Sequence, residues 1–519
     1  MVTAVNPILS GFYPDPSICR VEQDYYLVNS SFAYFPGVPI FHSRDLAHWE
    51  QIGNILDREE QLPLDNSEIS EGIFAPTIRY HEGLYYMITT NVKQGGNFIV
   101  TAEKPEGPWS KPYFLGEEAR GIDPSLFFDE DGSCYYVGTR PNPEGVRYNG
   151  DWEIWVQKLD LKEMKLVGES MAIWKGAVKD VIWPEGPHLY KIGEYYYLLH
   201  AEGGTGPEHC ISVARSKELF KWFEGCPRNP IFSHRNLGKD YPIIYVGHGD
   251  LVEDGNDNWY IVMLASRPCE KHSSMGRETF LAKVIWEEGW PVINPGIGKL
   301  EDKVELLLSE YRFEKEITEH DHFRFYGEKL DERLLGIIRQ NETMYSLKER
   351  PGYLRLFLKK EVISEKEAVS YMGVRQKNYH FEVSAGLEFT PKTTDEAAGI
   401  VLYQNHLNHL RMEIVKGTTG RVFRISSYIL SEEKVLREVP LATEGLVEIK
   451  LRAANQSAEV LLVEKDDLQL VETNINLLPY TTEEAGGFVG CTIGMYASAN
   501  GTTSENYADF EWFSYDAME

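Results

Sequence analysis

Five times in the first three hundred residues, a Pro- or Gly-marked segment leads into a turn and then into a run of aromatic and aliphatic side chains. The segments are PDPSI…QDYYLV (14–28), APTIR…EGLYYMI (75–88), DPSLF…DGSCYYV (123–137), EGPHLY…GEYYYLL (185–199) and GHGDLV…NDNWYIV (247–262). A spacing of roughly 50 to 65 residues belongs to repeat architectures rather than to a single irregular fold. After each aromatic run comes a third short apolar segment and then a surface turn with Trp or Gly, as in PIFHSRDLAHWEQIG, NFIVTAEKPEGPWSKP and CISVARSKELFKWFEG. The runs are short, rich in Val, Ile, Tyr, Phe and Trp, and bounded by Gly, Asp and Pro, which predicts strands and hairpins. Each unit therefore reads as a small antiparallel sheet, and five such sheets set radially make a propeller whose innermost strands line a central channel.

From about residue 320 the repeat stops and a different pattern takes over. YLRLFLK, YHFEVSAGLEF, AGIVLYQ, HLRMEIV, RVFRISSYIL, LVEIKLRAA, AEVLLVE, FVGCTIGMYA and ADFEWFSYD alternate apolar and polar residues as half-buried antiparallel strands do. A β-sandwich is expected here. The chain thus divides into a propeller over 1–305, a charged connection over 306–320 and a sandwich over 321–519, an all-β fold throughout. The charged stretch 301–322 is compatible with a strand pair or a helix.

The repeat matters chemically because the first element of four units carries an ionisable residue: Asp15, Asp123, Glu185 and His248. Equivalent positions in a closed ring face one axis, so a single pocket would collect all four. Composition narrows what that pocket meets. With 80 Asp plus Glu against 52 Lys plus Arg, the formal net charge of −28 repels nucleic acid and anionic membranes. No stretch approaches the length of apolar residues needed to span a bilayer, and the first residues lack a basic start followed by a long apolar region, so a cytoplasmic protein is expected. The six cysteines, Cys19, Cys134, Cys210, Cys226, Cys269 and Cys491, show no close pairing or metal spacing and are expected as reduced thiols.

Taken in order, NPILSGFYPDPSICR, SSFAYFPGVPIFHSRDLAHW, GIDPSLF, EGPHLY with AEGGT, GHGDLVE and GRET resemble glycoside hydrolase family 43. SLKERPGYLRL (346–356) is similar to the start of the accessory, concanavalin-like sandwich of its β-xylosidase branch. The resemblance covers nearly the whole chain and implies a five-bladed propeller hydrolase that removes terminal pentoses with inversion. Inversion needs one carboxylate to activate water on one face of the sugar and one carboxylic acid to protonate the leaving oxygen on the other. Similarity to the family makes Asp15 the general base and Glu185 the general acid, with Asp123 orienting the acid and raising its pKa. Asp15 and Asp123 also each stand beside a proline, where a carboxylate commonly caps a turn; their matching repeat positions favour the catalytic reading.

The same resemblance places His248 deep in the pocket and Arg277 of GRET beside the catalytic carboxylate and a sugar hydroxyl. A guanidinium fork suits both partners at once, although an inter-blade ion pair would use it equally well. Phe32 matches a family aromatic beside the sugar, and Phe74 stands where many members have Trp. Thr205 of AEGGT and Phe488 of GGFVG complete the expected substrate contacts, the latter because relatives bring an accessory-domain aromatic to the pocket rim. No cofactor is required by this chemistry. Relatives hold calcium in the channel or sandwich in some cases, and no motif here decides whether this chain does; a homo-oligomer is left open, because the sequence does not set the oligomeric state.

Other classes fit part of the pattern. A propeller can be a non-catalytic carbohydrate-binding platform, but such a platform has no need of all three carboxylates. A glycoside phosphorylase would need clustered Arg, Lys or His facing the base, where only Arg277 and His248 are expected. Among hydrolases, xylo-oligosaccharides with terminal β-D-xylose are favoured over α-L-arabinofuranose by the accessory sandwich and SSFAYFPGV, with activity on both as the alternative.

Overall fold

The computed structural model describes all residues except Lys239 and Glu519. Five four-stranded antiparallel sheets follow one another along the chain, each a simple meander from the axis outwards. Their innermost strands are Ser17–Val21, Thr77–His81, Ile122–Phe128, Glu185–Ile192 and Ile244–Glu253. Tight hairpins hold each meander together. In blade 2, Glu82 and Gly83 both take positive φ (47° and 87°), the primed-turn geometry whose twist matches the strands it joins, and His81 pairs directly with Leu84.

Each blade is built from one continuous stretch of chain, interrupted in blade 1 only by the short strand Tyr34–Phe35, which pairs with Gly336–Ile337, so the ring is closed by other means. Val2–Val5 pairs with Lys303–Leu306, and Asn6 exchanges two 2.8 Å hydrogen bonds with Leu281 in the third strand of blade 5. The charged stretch 301–322 forms no helix. It contributes Lys303–Leu306 to that closing pair and His320–Arg324 to the sandwich, two strands that do not pair with each other.

The sandwich consists of an eight-stranded and a six-stranded antiparallel sheet. It starts earlier than the SLKERPGYLRL signature, with His320–Arg324 on Tyr507–Ala517. Strand alternation decides how it docks. In Ser370–Arg375, Met372 and Val374 point into the sandwich core, whereas Tyr371 faces the other way and joins Val401, Tyr403 and Tyr496 against propeller residues Phe12, Phe32 and Tyr34. One apolar cluster therefore spans both units, and it reaches the wall of the central pocket through Phe32.

Candidate active site

Asp123, Glu185 and His248 sit where their inner strands lose regular register, and Asp15 stands just before the inner strand Ser17–Val21. Pairing shifts between Ile122 and Ser125, between Glu185 and His188, and on both sides of Gly247. Asp15, Asp123 and His248 take left-handed backbone conformations, with φ of 52°, 52° and 45°. For non-glycine residues this costs energy and is retained where the surrounding structure holds it, commonly at functional sites. Gly186 is required beside Glu185: its φ is +55°, and a Cβ there would lie 2.8 Å from the His248 ring.

Asp15, Asp123, Glu185, His248 and Arg277 converge on one cavity of about 400 Å³ at the propeller axis. Asp15 is buried; its Oδ2 accepts a 2.6 Å bond from the Ser30 hydroxyl and its Oδ1 a 3.2 Å bond from Arg277 Nη1, with His248 Nδ1 at 3.8 Å. Asp123 Oδ2 accepts the backbone N–H of Gly186 at 3.1 Å, so it is tied to the residue next to Glu185. Burial pushes the Asp15 carboxyl up, but Arg277, His248 and the Ser30 hydroxyl together outweigh it and hold the group below its ordinary value. Burial, the charges of Asp123 and Asp15 behind it, pushes Glu185 well above the carboxylate range. Asp123 is raised to about 6, by burial first and Asp15 second, against His248 and Gly186. Two carboxyl groups of one pocket are thus driven in opposite directions, the condition under which one can act as base and the other as acid.

Phe32, Phe74 and Phe488 form an aromatic cage around this cavity. Phe32 lies 5.3 Å from Phe74 and 6.2 Å from Phe488, which also sits 5.7 Å from the Arg277 guanidinium carbon. Thr205 completes the set, so every residue singled out from the sequence lines the same cavity. Three further lining residues, Ile122, Trp152 and Trp183, were missed. Ile122 and Trp183 flank Asp123 and the Pro184–Glu185 pair, and proximity to those motifs was the signal available. Trp152 opens the third strand of blade 3 and carries no local mark.

Immediately along the inner strands from the carboxylates, the channel is filled. Asp250 accepts bonds from Arg79 Nη1 (2.8 Å), Ser17 (2.7 Å) and Tyr190 (2.5 Å), and Arg79 also reaches His188 Nδ1 at 3.0 Å. Residues from blades 1, 2, 4 and 5 are thereby joined in one buried polar layer beneath the pocket. Asp250 is committed to these donors, and among the described residues no group of three His, Cys, Asp or Glu side chains is disposed to hold a metal ion. All six cysteines are unpaired, and among the described residues no helix is long and apolar enough to cross a membrane.

Comparison with known proteins agrees with this geometry. Residues 4–291 match the model for glycosyl hydrolases family 43, and residues 321–516 match the β-xylosidase C-terminal concanavalin A-like domain. A xylosidase/arabinosidase of Butyrivibrio fibrisolvens is 65% identical over 519 residues, with both chains fully covered. The non-reducing end α-L-arabinofuranosidase BoGH43B of Bacteroides ovatus is 36% identical over 99% of this chain and 95% of its own. Among solved structures, xylan β-1,4-xylosidase from Bacillus halodurans C-125 superposes with a TM-score of 0.93 at 35% identity, covering 99% of this chain and 100% of its own. The chain belongs to glycosyl hydrolase family 43 and is a glycoside hydrolase built as a five-bladed propeller with a concanavalin-like sandwich.

Proposed function

We propose that the protein is an exo-acting, inverting β-xylosidase that releases terminal β-D-xylose from xylo-oligosaccharides. The observation that carries this reading is the convergence of Asp15, Asp123 and Glu185 on one aromatic-lined pocket, where Ser30 and Arg277 anchor Asp15 and Asp123 is tied to the residue beside Glu185. Asp15, ionised and anchored by Ser30 and Arg277, takes a proton from water as that water attacks the anomeric carbon. Glu185, kept protonated by burial and by the neighbouring Asp123 and Asp15, delivers its proton to the departing glycosidic oxygen. Asp123 holds the Gly186 amide and supplies negative charge that favours the protonated acid. The filled layer beneath the pocket leaves no passage for a continuing chain, which supports attack at a chain end. Arabinofuranosidase activity in the same site is a second reading, favoured by the 65% identical Butyrivibrio protein that carries both activities in its name.

Paired kcat/KM values on aryl β-xyloside and aryl α-L-arabinofuranoside decide between the two sugars, and the faster substrate names the main activity. Proton NMR of the first xylose released from an aryl β-xyloside should show the anomer opposite to that of the substrate. The retained anomer as first product rejects the proposed roles.

A further inference from the structure

We propose that Ser70 is a positioning residue for this pocket: from the propeller, its hydroxyl holds the sandwich-borne Phe488 in place and thereby sets the pocket's width on that side. The inference rests on the pocket being the site of hydrolysis. Segment 481–491 of the sandwich is docked at both ends on the propeller loop that leads to Arg277. Thr482 N–H donates to Ser273 O at 2.8 Å, Ser273 N–H to Glu483 Oε2 at 2.6 Å, and Cys491 N–H to Ser274 O at 2.6 Å. Phe488 lies between these anchors among glycines, with Gly486 and Gly487 at φ of 74° and 84°.

Burial does little to hold the Phe488 ring, which is 39% exposed and faces Phe32, Phe74 and Arg277 at centroid distances of 6.2, 6.1 and 5.7 Å. What fixes its own backbone is the 2.9 Å bond from Phe488 N–H to Ser70 Oγ. Gly487 lies so close that a Cβ there would stand 2.4 Å from the same oxygen. Ser70 is itself braced, because Glu68 pairs with sandwich residue Lys366 at 2.5 Å and Glu71 with Lys93 at 3.1 Å. The propeller thus dictates where Phe488, the one sandwich residue lining the pocket among the described residues, stands. Because an aromatic wall contacts the sugar's C–H face before and during reaction alike, loss of the bond should weaken ground-state binding more than it slows the chemical step.

The test uses the full-length enzyme with xylobiose and the faster aryl pentoside, measuring kcat and KM for Ser70→Ala, Ser70→Thr, Phe488→Ala and the Ser70→Ala/Phe488→Ala double variant. Ser70→Ala should lower kcat/KM roughly tenfold, mainly through KM, while Ser70→Thr keeps the acceptor and stays near wild type. In the double variant the loss should equal that of Phe488→Ala alone, since Ser70 acts through that ring. Wild-type kinetics in Ser70→Ala, or losses that multiply in the double variant, would overturn the proposal. Glu185→Gln measured beside them separates the two levels: if it is crippled while Ser70→Ala is normal, only the positioning role fails. If Glu185→Gln is fully active, the pocket assignment fails and the positioning role with it.

Discussion

The propeller and the sandwich are both all-β, yet they place irregularity differently. In the sandwich, Asn408–Lys416 and Arg421–Ile429 pair over their whole length without a shift, four other strand pairs break register away from the pocket, and one continuous core lies between the two sheets. Its left-handed residues include Leu430 with Ser431, Asn455, and Lys465 with Asp466, each pair or residue at a hairpin tip. In the propeller the core is divided among separate clusters at the blade contacts, and left-handed residues also occur at the axis, as Asp15, Asp123 and His248. Regular ladders satisfy backbone groups and bury apolar surface, whereas breaking the ladder re-aims a side chain. Both units carry register breaks, but those on the propeller's inner strands at Asp123, Glu185 and His248 face a common axis; the propeller gathers the chemistry, and the sandwich lends it a wall.

The strongest way to break that comparison is to separate the units. A fragment ending near residue 305 would expose the sandwich-facing side of Phe12, Phe32 and Tyr34 and lose Phe488. It should be insoluble or lose most activity on xylobiose; a soluble fragment with full kcat/KM would show that the sandwich is dispensable to the site. Within the propeller, Asp15→Asn should reduce hydrolysis of good and poor leaving groups alike, by about 10²- to 10⁴-fold. Glu185→Gln should fall by a similar factor on xylobiose but far less on an activated nitrophenyl xyloside, whose leaving oxygen needs little protonation. Equal losses on both substrates would remove Glu185 from the acid role.

A smaller effect is expected at Ser30, whose hydroxyl lies 2.6 Å from Asp15 Oδ2. That bond favours the ionised carboxylate, so Ser30→Ala should raise the Asp15 pKa and move the acidic limb of the kcat/KM profile to higher pH. A rate loss of roughly tenfold at the optimum should accompany the shift, with Ser30→Thr close to wild type. An unmoved acidic limb would mean that Arg277 and His248 alone set the charge of the base.

Much of this arrangement was legible in the sequence because it recurs. Five repetitions of turn and aromatic run marked the blades, and repeat-equivalent positions placed Asp15, Asp123, Glu185 and His248 on one axis. What escaped has physical reasons. Glu432–Pro440 and Asp467–Asn476 are edge strands of the two sandwich sheets, largely exposed on both faces, so no alternation of apolar and polar residues announces them. Trp152 becomes a pocket wall only through closure of the ring, which no local window reports. The role of Ser30 depends on the left-handed turn of Asp15 towards it, and the filled channel on the meeting of Arg79 and Asp250 from distant blades.

The smallest expected effect concerns stability and tests whether the carboxylates crowded at the axis carry an electrostatic cost. Glu185 has an ordinary pKa of 4.5 and is raised well above it in the fold, by burial and then by Asp123 and Asp15. The folded chain therefore binds this proton more tightly than the unfolded chain does. Its stabilising contribution is complete below pH 4.5 and is lost progressively as pH rises towards the folded pKa. Glu185→Gln removes the titration, so the variant's Tm relative to wild type should increase from pH 4.5 upwards, by about one to three degrees near neutrality. A Tm difference that stays constant from acid to neutral pH would show that the acid carries no such cost.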